Sequence, residues 1–454
     1  MDWKILFGKK RTDEISKIND RNESVMKAIS KKPSEKSIYI WNITGSIANA
    51  LLSVVVLMLT TRSVSSGEAD IFSIAWSISQ LMATIGTFQI RVYQATDVRQ
   101  RFNFNQYWVF RLITLFFMMI ISAGYIIGRG YEGNKAKIVF IVCIYRAVDS
   151  LADVYEGWFQ QKERLDLAGK ALTYRIIFAV FGFGITLKFT NNMEYACWSL
   201  VASYVICFFL FDVRYNKGLE LYEEIRRKTR TKWWVLELAK EGLPLFVNAF
   251  IIMSIMNTPK IVLDNSITKG IMNDGTQTIF NILFMPASVL SLAYIVFRPL
   301  ITEMAILWEK KKNKEFLKIL GKIIVCLMAM AVLLMAGSAV LGLPVLSLIY
   351  GLRLEKYKAE LLTIILGGCF YTFAAVLDNA LVVIRKQYLL IVSYVVSWIY
   401  IKFVTDIFVI KWKMLGASIA YMSTMIIFFV ITLLLFIISF YVEMKNGEKR
   451  NEKI

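Results

Sequence analysis

Four charged side chains lie close together in an otherwise apolar stretch of the sequence, CIYRAVDSLADVYEGWFQQKER (residues 143–164). They are Arg146, Asp149, Asp153 and Glu156, called here the charged stripe. On a helix that turns about 100° per residue, all four fall within an arc of about 80°. Three carboxylates and one guanidinium on a single face could accept sugar hydroxyls, bind protons or sodium ions, or pair with each other.

A charge at the centre of a lipid bilayer costs about 2.5–3.5 kcal/mol. The charged stripe is therefore expected to face protein or water. Two interpretations stay open at this point. In one, the stripe forms buried ion pairs within its helix and with neighbouring helices; in the other, it is the wall of a hydrated cavity.

Other charges near or within apolar runs extend the candidate site. Arg91, Lys260 and Arg298 are cations that could lie at a cavity mouth and bind a polyanionic substrate. Asp378 is an acid in a later apolar run. Arg62 and Arg175 are expected to extend toward the membrane interface.

The residue types exclude several kinds of chemistry. The chain has no histidine, which removes histidine acid–base catalysis, Ser-His-Asp triads and ordinary zinc sites. The five cysteines lie in apolar runs without CxxC spacing and are expected to be buried packing residues. We therefore predict a protein without a cofactor or metal, coupled at most to protons or sodium ions.

These residues must be positioned by membrane helices. The 454-residue chain is 57% hydrophobic, and its apolar runs have the length that crosses a bilayer. The fold predicted is an all-α polytopic membrane protein with about twelve transmembrane helices in two six-helix bundles around a central cavity. The predicted spans are 38–61, 69–90, 106–128, 137–160, 167–189, 195–214, 241–263, 277–300, 320–343, 360–384, 388–410 and 414–441.

The distribution of basic residues predicts the orientation. With the N-terminus in the cytoplasm, the segments and span ends assigned inside hold 38 of the 53 Lys and Arg, and those outside hold 13. The positive-inside rule then places both termini in the cytoplasm. The net charge of +19 is thus a topology signal with some attraction to anionic lipid, and no nucleic-acid partner is expected.

The spans divide into two equal groups. We predict a basic cytoplasmic arm (1–37), two six-helix bundles (38–214 and 241–441), a linker between them (215–240) and a cytoplasmic tail (442–454). The Ile-Phe pairs of DIFSIAWS (70–77) and TIFNILFM (278–285) are 208 residues apart. This offset indicates an internal parallel repeat of the kind found in transporters.

Four motifs resemble the polysaccharide flippases of the multidrug/oligosaccharidyl-lipid/polysaccharide (MOP) transporter superfamily, over most of residues 38–440. The motifs are RVYQATDVRQRF (91–102), the D-x3-D-x-x-E-G-x3-Q run of the fourth span, NTPKIVLDN (257–265) and FRPLITE (297–303). The resemblance implies two helical bundles that rock about a central cavity. It also implies contact of Arg146, Arg91, Lys260 and Arg298 with a pyrophosphate, in a cavity lined asymmetrically because the tenth span keeps only Asp378.

The function predicted is translocation of a polyprenyl-pyrophosphate-linked oligosaccharide across the bacterial cytoplasmic membrane. The substrate would be a capsule, teichoic acid or similar repeat unit, and the chain is expected to act as a monomer. Two alternatives stay open. A cation-coupled multidrug antiporter of the same superfamily would use the acids of the stripe, whereas a membrane glycan polymerase is disfavoured by short outer loops and the lack of histidine.

Overall fold

A computed structural model describes residues 33–97, 101–220, 233–294 and 297–451, without the side chains of 220, 298–299 and 446–451. The predicted arm therefore lies largely outside the described residues, as does the middle of the predicted linker. The described secondary structure is helical. Face names follow the predicted orientation: α1 ends and α2 begins at the predicted outer face.

The described residues of the first half form eight helices. Two of them, α3 and α8, are short helices that follow a longer membrane helix. A π-helical turn at Phe208–Val213 joins α7 to α8. The helices are α1 Glu35–Ser63, α2 Ser66–Thr87, α3 Ile90–Thr96, α4 Phe104–Gly128, α5 Gly133–Gln161, α6 Leu165–Thr190, α7 Met193–Cys207 and α8 Arg214–Glu220.

The second half is interrupted more often. A 3₁₀ turn at Met285–Ser288 separates α10 from α11, and a π-helical turn at Ser338–Gly342 separates α13 from α14. The helices are α9 Trp234–Thr268, α10 Thr276–Phe284, α11 Val289–Tyr294, α12 Arg298–Glu309, α13 Asn313–Gly337, α14 Leu343–Tyr350, α15 Lys358–Val383 and α16 Leu390–Asn451.

Local sequence explains where the helices start and stop. Ser65 and Asn103 cap α2 and α4 with their side chains, and Gln106 completes a capping box at α4. Phe88 and Gln89 have φ of 45° and 51°, so α2 and α3 meet at a bend of 44°.

In the part of the chain that the structure describes, every predicted span falls mainly on helical residues, and the span 69–90 is bent at Phe88–Gln89. Nine helices of the described residues are long and apolar enough to cross a membrane, or ten if the bent pair α2–α3 counts as one span. The helix α5, which carries the charged stripe, is not among them. The helix α16 covers two predicted spans and leaves helical geometry at Lys413 (φ 54°, ψ −130°). The all-α membrane fold is confirmed, whereas the number twelve stays a prediction.

The core of each half is built from neighbouring helices: α1 packs on α6, α2 on α5, and α15 on α16. Between the halves, α9 and α10 pack on α2, and α14 packs on α1. The candidate site lies on this interface.

The predicted 208-residue repeat reappears in the contacts across this interface. Thr278 donates its backbone N–H to Oδ1 of Asp70 (2.7 Å), and Nδ2 of Asn281 donates to the carbonyl of Ser73 (2.9 Å). Each pair joins two positions that are 208 residues apart. Equivalent positions of two repeats touch each other only close to the twofold axis that relates them, so the predicted parallel repeat would place its axis near these contacts.

Candidate functional site

A cavity lies between the halves, in two adjoining chambers that share part of their lining. The Lys260 chamber, of about 230 Å³, is lined from α1, α2, α9 and α10. The Arg146 chamber, of about 280 Å³, is lined from α1, α2, α5 and α9, with Gln89 at the bend after α2. Both chambers share the lining residues Ser53, Trp76, Gln80 and Met253.

Lys260 presents an unpaired ammonium to the cavity. Its Nζ lies 4.6 Å from the centre of the Phe284 ring, a cation–π contact. No carboxylate of the described residues lies within ion-pair distance of it, although the residue is only 9% exposed. Asn257 Oδ1 and Trp76 Nε1 also lie in this chamber's walls, buried and without a hydrogen-bond partner. These groups are available to a bound ligand.

Arg146 is the member of the charged stripe that lines the cavity. Its Nη1 donates to Oδ2 of Asp149 (3.2 Å), and its guanidinium lies 4.6 Å from the Trp76 ring and 5.0 Å from the Tyr145 ring. The Nε atom has no acceptor among the described residues. Arg146 is therefore partly neutralised and contacts two aromatic rings, and its Nε donor is unused among the described residues.

The remaining acids of the stripe bind arginines of other helices. Arg91 Nη1 donates to Asp153 Oδ1 (3.1 Å) and to Glu156 Oε2 (2.7 Å). Arg111 of α4 donates from Nη2 to Asp153 Oδ2 (2.8 Å) and from Nη1 to the carbonyl of Gly86 (2.6 Å). Asp153 and Glu156 thus tie α5 to α3 and α4.

Arg175 of α6 continues this network and is fully buried. It donates to Glu156 and, from Nη1, to Oδ2 of Asp212 (2.6 Å). The expectation that Arg175 extends to the membrane interface is therefore wrong, because two buried carboxylates hold it inside the bundle. Three guanidiniums and three carboxylates make up the network, called here the arginine network: Arg91, Arg111, Arg175, Asp153, Glu156 and Asp212.

The structure divides the charged stripe between the two interpretations, and hydration of the cavity stays a prediction. Asp153 and Glu156 form the buried ion pairs of the first interpretation. Arg146 lines the cavity of the second, and Asp149 lies beside it. The geometry brings Arg146 and Lys260 to one cavity and places Arg91 in the network instead.

Asp378 is not brought to this cavity, and four other predicted residues are absent from its lining as well: Arg91, Asp149, Asp153 and Glu156. Asp378 lies within the second half, where Tyr394 donates to its Oδ2 (3.0 Å), and it is absent from the lining of both chambers. The side chain of Arg298 lies outside the described residues. Substrate contact by Asp378 or Arg298 stays a prediction.

The halves are joined at the predicted outer face by helix caps that one half supplies to the other. Asp70 accepts backbone N–H groups of Gly275 (2.6 Å) and Thr278 (2.7 Å) at the start of α10. Arg62 donates to the carbonyls of Leu348 and Ile349 in the last turn of α14. An acid at a helix N-terminus and a cation at a C-terminus are both favourable, so these contacts stabilise a closed outer face.

A third contact between the halves at the predicted outer face is an ion pair. Asp264, near the end of α9, accepts from Lys135 Nζ (2.6 Å) and from the Tyr131 hydroxyl (2.7 Å), both in the first half. At the predicted cytoplasmic face, α9 contacts the first half again. There Phe88 stacks on Phe246 with ring centres 4.6 Å apart, and Arg101 donates to Glu241 (2.8 Å).

The charge of the cavity follows from these contacts. Among the described residues that line its two chambers are one lysine and one arginine, but no aspartate or glutamate. The lining is otherwise rich in hydroxyl and amide groups, including Ser53, Gln80 and Asn257. Such a cavity can bind an anion and hydrogen-bond to hydroxyl groups.

Sequence reasoning missed four residues of this arrangement. Arg111 and Asp212 are single charges in apolar runs, and that isolation is the signal by which they could have been found. Trp76 and Asn257 carry no comparable signal, because a tryptophan or an asparagine in a membrane helix is most often a packing or interfacial residue.

No protein-family model matches the sequence. The chain is 22% identical over 395 residues to the capsular polysaccharide biosynthesis protein CapF of Staphylococcus aureus, covering 82% of this chain and 92% of that protein. Among solved structures, it is similar to an inward-facing multidrug resistance MATE family transporter of the MOP superfamily. That match has a TM-score of 0.64, 11% identity, and coverage of 88% of this chain and 96% of the other.

A further similar structure is a MOP superfamily transporter from Pyrococcus furiosus, described as having a binding pocket of reverse polarity. The TM-score is 0.51 with 11% identity, over 91% of this chain and 96% of that one. The matches extend over both halves and the interface that holds the cavity. The chain therefore shares the fold of these MOP superfamily structures, the fold that the sequence resemblance implied.

Proposed function

We propose that the chain is a flippase that carries polyprenyl-pyrophosphate-linked oligosaccharides across the bacterial cytoplasmic membrane by alternating access. The observation that carries this proposal is the ammonium of Lys260, which has no carboxylate partner among the described residues and lies in a cavity whose described lining holds no acid. The pyrophosphate binds Lys260 and Arg146, the sugars bind the amide and hydroxyl groups, and the polyprenyl tail stays in the lipid. The name of the CapF relative supports a polysaccharide substrate.

The charge distribution disfavours the antiporter alternative. A pocket for cationic drugs needs free carboxylates, yet Asp149, Asp153 and Glu156 each bind an arginine. The binding pocket of the similar Pyrococcus transporter is reported to have reverse polarity. This supports the view that proteins of this fold can differ in the charge of their substrates. One feature favours a coupled cation: Asp378 has a tyrosine partner and no ion pair among the described residues. As a second proposal, we infer that transport is coupled to protons or sodium ions.

The test is a chromosomal deletion complemented with variants at Lys260. A charge-assisted hydrogen bond contributes about 1.5–3 kcal/mol, or roughly tenfold or more in affinity. We expect Lys260→Met to reduce glycan export at least about tenfold, to trap lipid-linked oligosaccharide on the cytoplasmic face, and to leave the protein in the membrane. Lys260→Arg, which keeps the charge, is the matched control and is expected to retain export.

Other outcomes would support the rivals. Wild-type export by Lys260→Met would exclude the pyrophosphate role of Lys260. Increased drug resistance on expression, with an unchanged surface glycan on deletion, would favour the antiporter. Formation of a glycosidic bond by the purified chain in a cell-free assay would favour the polymerase.

A further inference from the structure

Lys260 and Asp264 lie one turn apart on α9, about 40° apart around the helix. Side chains at this spacing are neighbours and pair readily when their charges are opposite. They do not pair in this structure. The Asp264 carboxylate binds Lys135 and Tyr131 of the first half, while Lys260 Nζ lies over the Phe284 ring in the second half.

Opening of the outer face separates these partners. Lys135 and Tyr131 lie on the first half and Asp264 on the second, so the halves cannot part at this face without breaking both contacts. With this face closed, Asp264 is only 3% exposed, and a carboxylate held near the membrane interior that loses its cation favours a new one. Lys260 is the cation at i,i+4 spacing on the same helix and moves with it. Lys135 lies in the first turn of α5 and can turn toward water.

We propose that Asp264 releases the substrate by exchanging Lys135 for Lys260 as the outer face opens. This inference rests on the proposed function. With the outer face closed, Lys135 holds Asp264 and leaves Lys260 free for the pyrophosphate. With the outer face open, Asp264 takes the ammonium that held the anion, so affinity falls on the side where the substrate must leave. Only ion pairs change; no covalent bond is made or broken.

The experiment measures binding of inorganic pyrophosphate to the purified full chain by titration calorimetry. Lys135→Met removes the partner of Asp264 in the closed state, so Asp264 pairs with Lys260 and affinity is expected to fall at least about fivefold. Adding Asp264→Asn to this variant removes the competing carboxylate, and affinity is expected to return to within about twofold of wild type. The double variant also replaces a buried ion pair by two neutral groups, which protects the fold.

Lys137→Met is the matched control, because Lys137 lies two residues from Lys135 and pairs with Glu194 of its own half (3.5 Å). It is expected to bind pyrophosphate as wild type does. Wild-type affinity in Lys135→Met, or a double variant as weak as Lys135→Met, would overturn the exchange.

A Lys260→Met arm separates failure of the exchange from failure of the proposed function. Loss of pyrophosphate binding in this variant supports the anion site even where the Lys135 variants overturn the exchange. Binding equal to wild type, or a wild-type protein that does not bind pyrophosphate, overturns both.

Discussion

The helices α5 and α9 both have charged side chains in the predicted membrane region, but the two sets differ in how they are paired. On α5, Asp153 and Glu156 each meet two arginines of other helices. On α9, Lys260 meets no carboxylate among the described residues. The number of charges therefore does not distinguish a structural helix from a ligand-binding one, whereas the number of satisfied partners does. A network of paired charges holds helices together, and a buried charge without an ion-pair partner among the described residues is a candidate for ligand binding.

The largest effect on stability is expected at Arg175, a fully buried member of the arginine network. Arg175→Met leaves Asp212 without a cation, and removal of one partner of a buried pair costs about 3–5 kcal/mol. We expect a lower thermal unfolding midpoint in detergent and less protein in the membrane. Arg175→Met with Asp212→Asn removes the orphaned charge and is expected to recover part of the loss.

Lys260→Met is the matched substitution on α9 for this stability comparison. It removes a buried cation that has no acid partner, so its unfolding midpoint is expected to equal or exceed that of wild type. Equal losses of stability in Arg175→Met and Lys260→Met would refute the distinction between the two helices.

An intermediate effect is expected at Arg146, which lies on α5 but lines the cavity. Arg146→Ala removes two cation–π contacts and one ion pair, together about 1–3 kcal/mol, so the protein should remain in the membrane. Export is expected to be lost because the pyrophosphate loses a donor. Export assays and quantification of the protein in membranes test this, and normal export would exclude the role of Arg146 as a substrate cation.

The smallest effect is expected at Asp149, which is half-buried and pairs with Arg146 alone among the described residues. Asp149→Asn frees the guanidinium, so affinity for inorganic pyrophosphate is expected to rise about two- to fivefold, or roughly 0.5–1 kcal/mol. Titration calorimetry measures this. Glu237→Gln, at the exposed contact with Arg101, is the control and should leave affinity unchanged; weaker binding in Asp149→Asn would contradict the neutralising role of Asp149.

The sequence predicted the fold well because membrane helices are determined by apolar length, which is a local property. It predicted Arg146 and Lys260 as candidates because a charge in an apolar run is visible without knowledge of packing. It did not predict which charges pair. Glu156 meets Arg175 and Arg91, which lie 19 and 65 residues away on other helices, and a helical wheel gives the face of one helix but not the neighbour that packs on it.

The contacts between positions 208 residues apart bear on how a two-part transporter with the predicted repeat can evolve. In a symmetric dimer of two separate copies, a residue near the axis faces its own copy, so an acid at the position of Asp70 would face another acid. The chain instead has Thr278 at the equivalent position, and its hydroxyl and backbone N–H both donate to Asp70. Joining the halves in one polypeptide thus lets the two sides of the axis mutate independently and lets a repulsive pair become a complementary one.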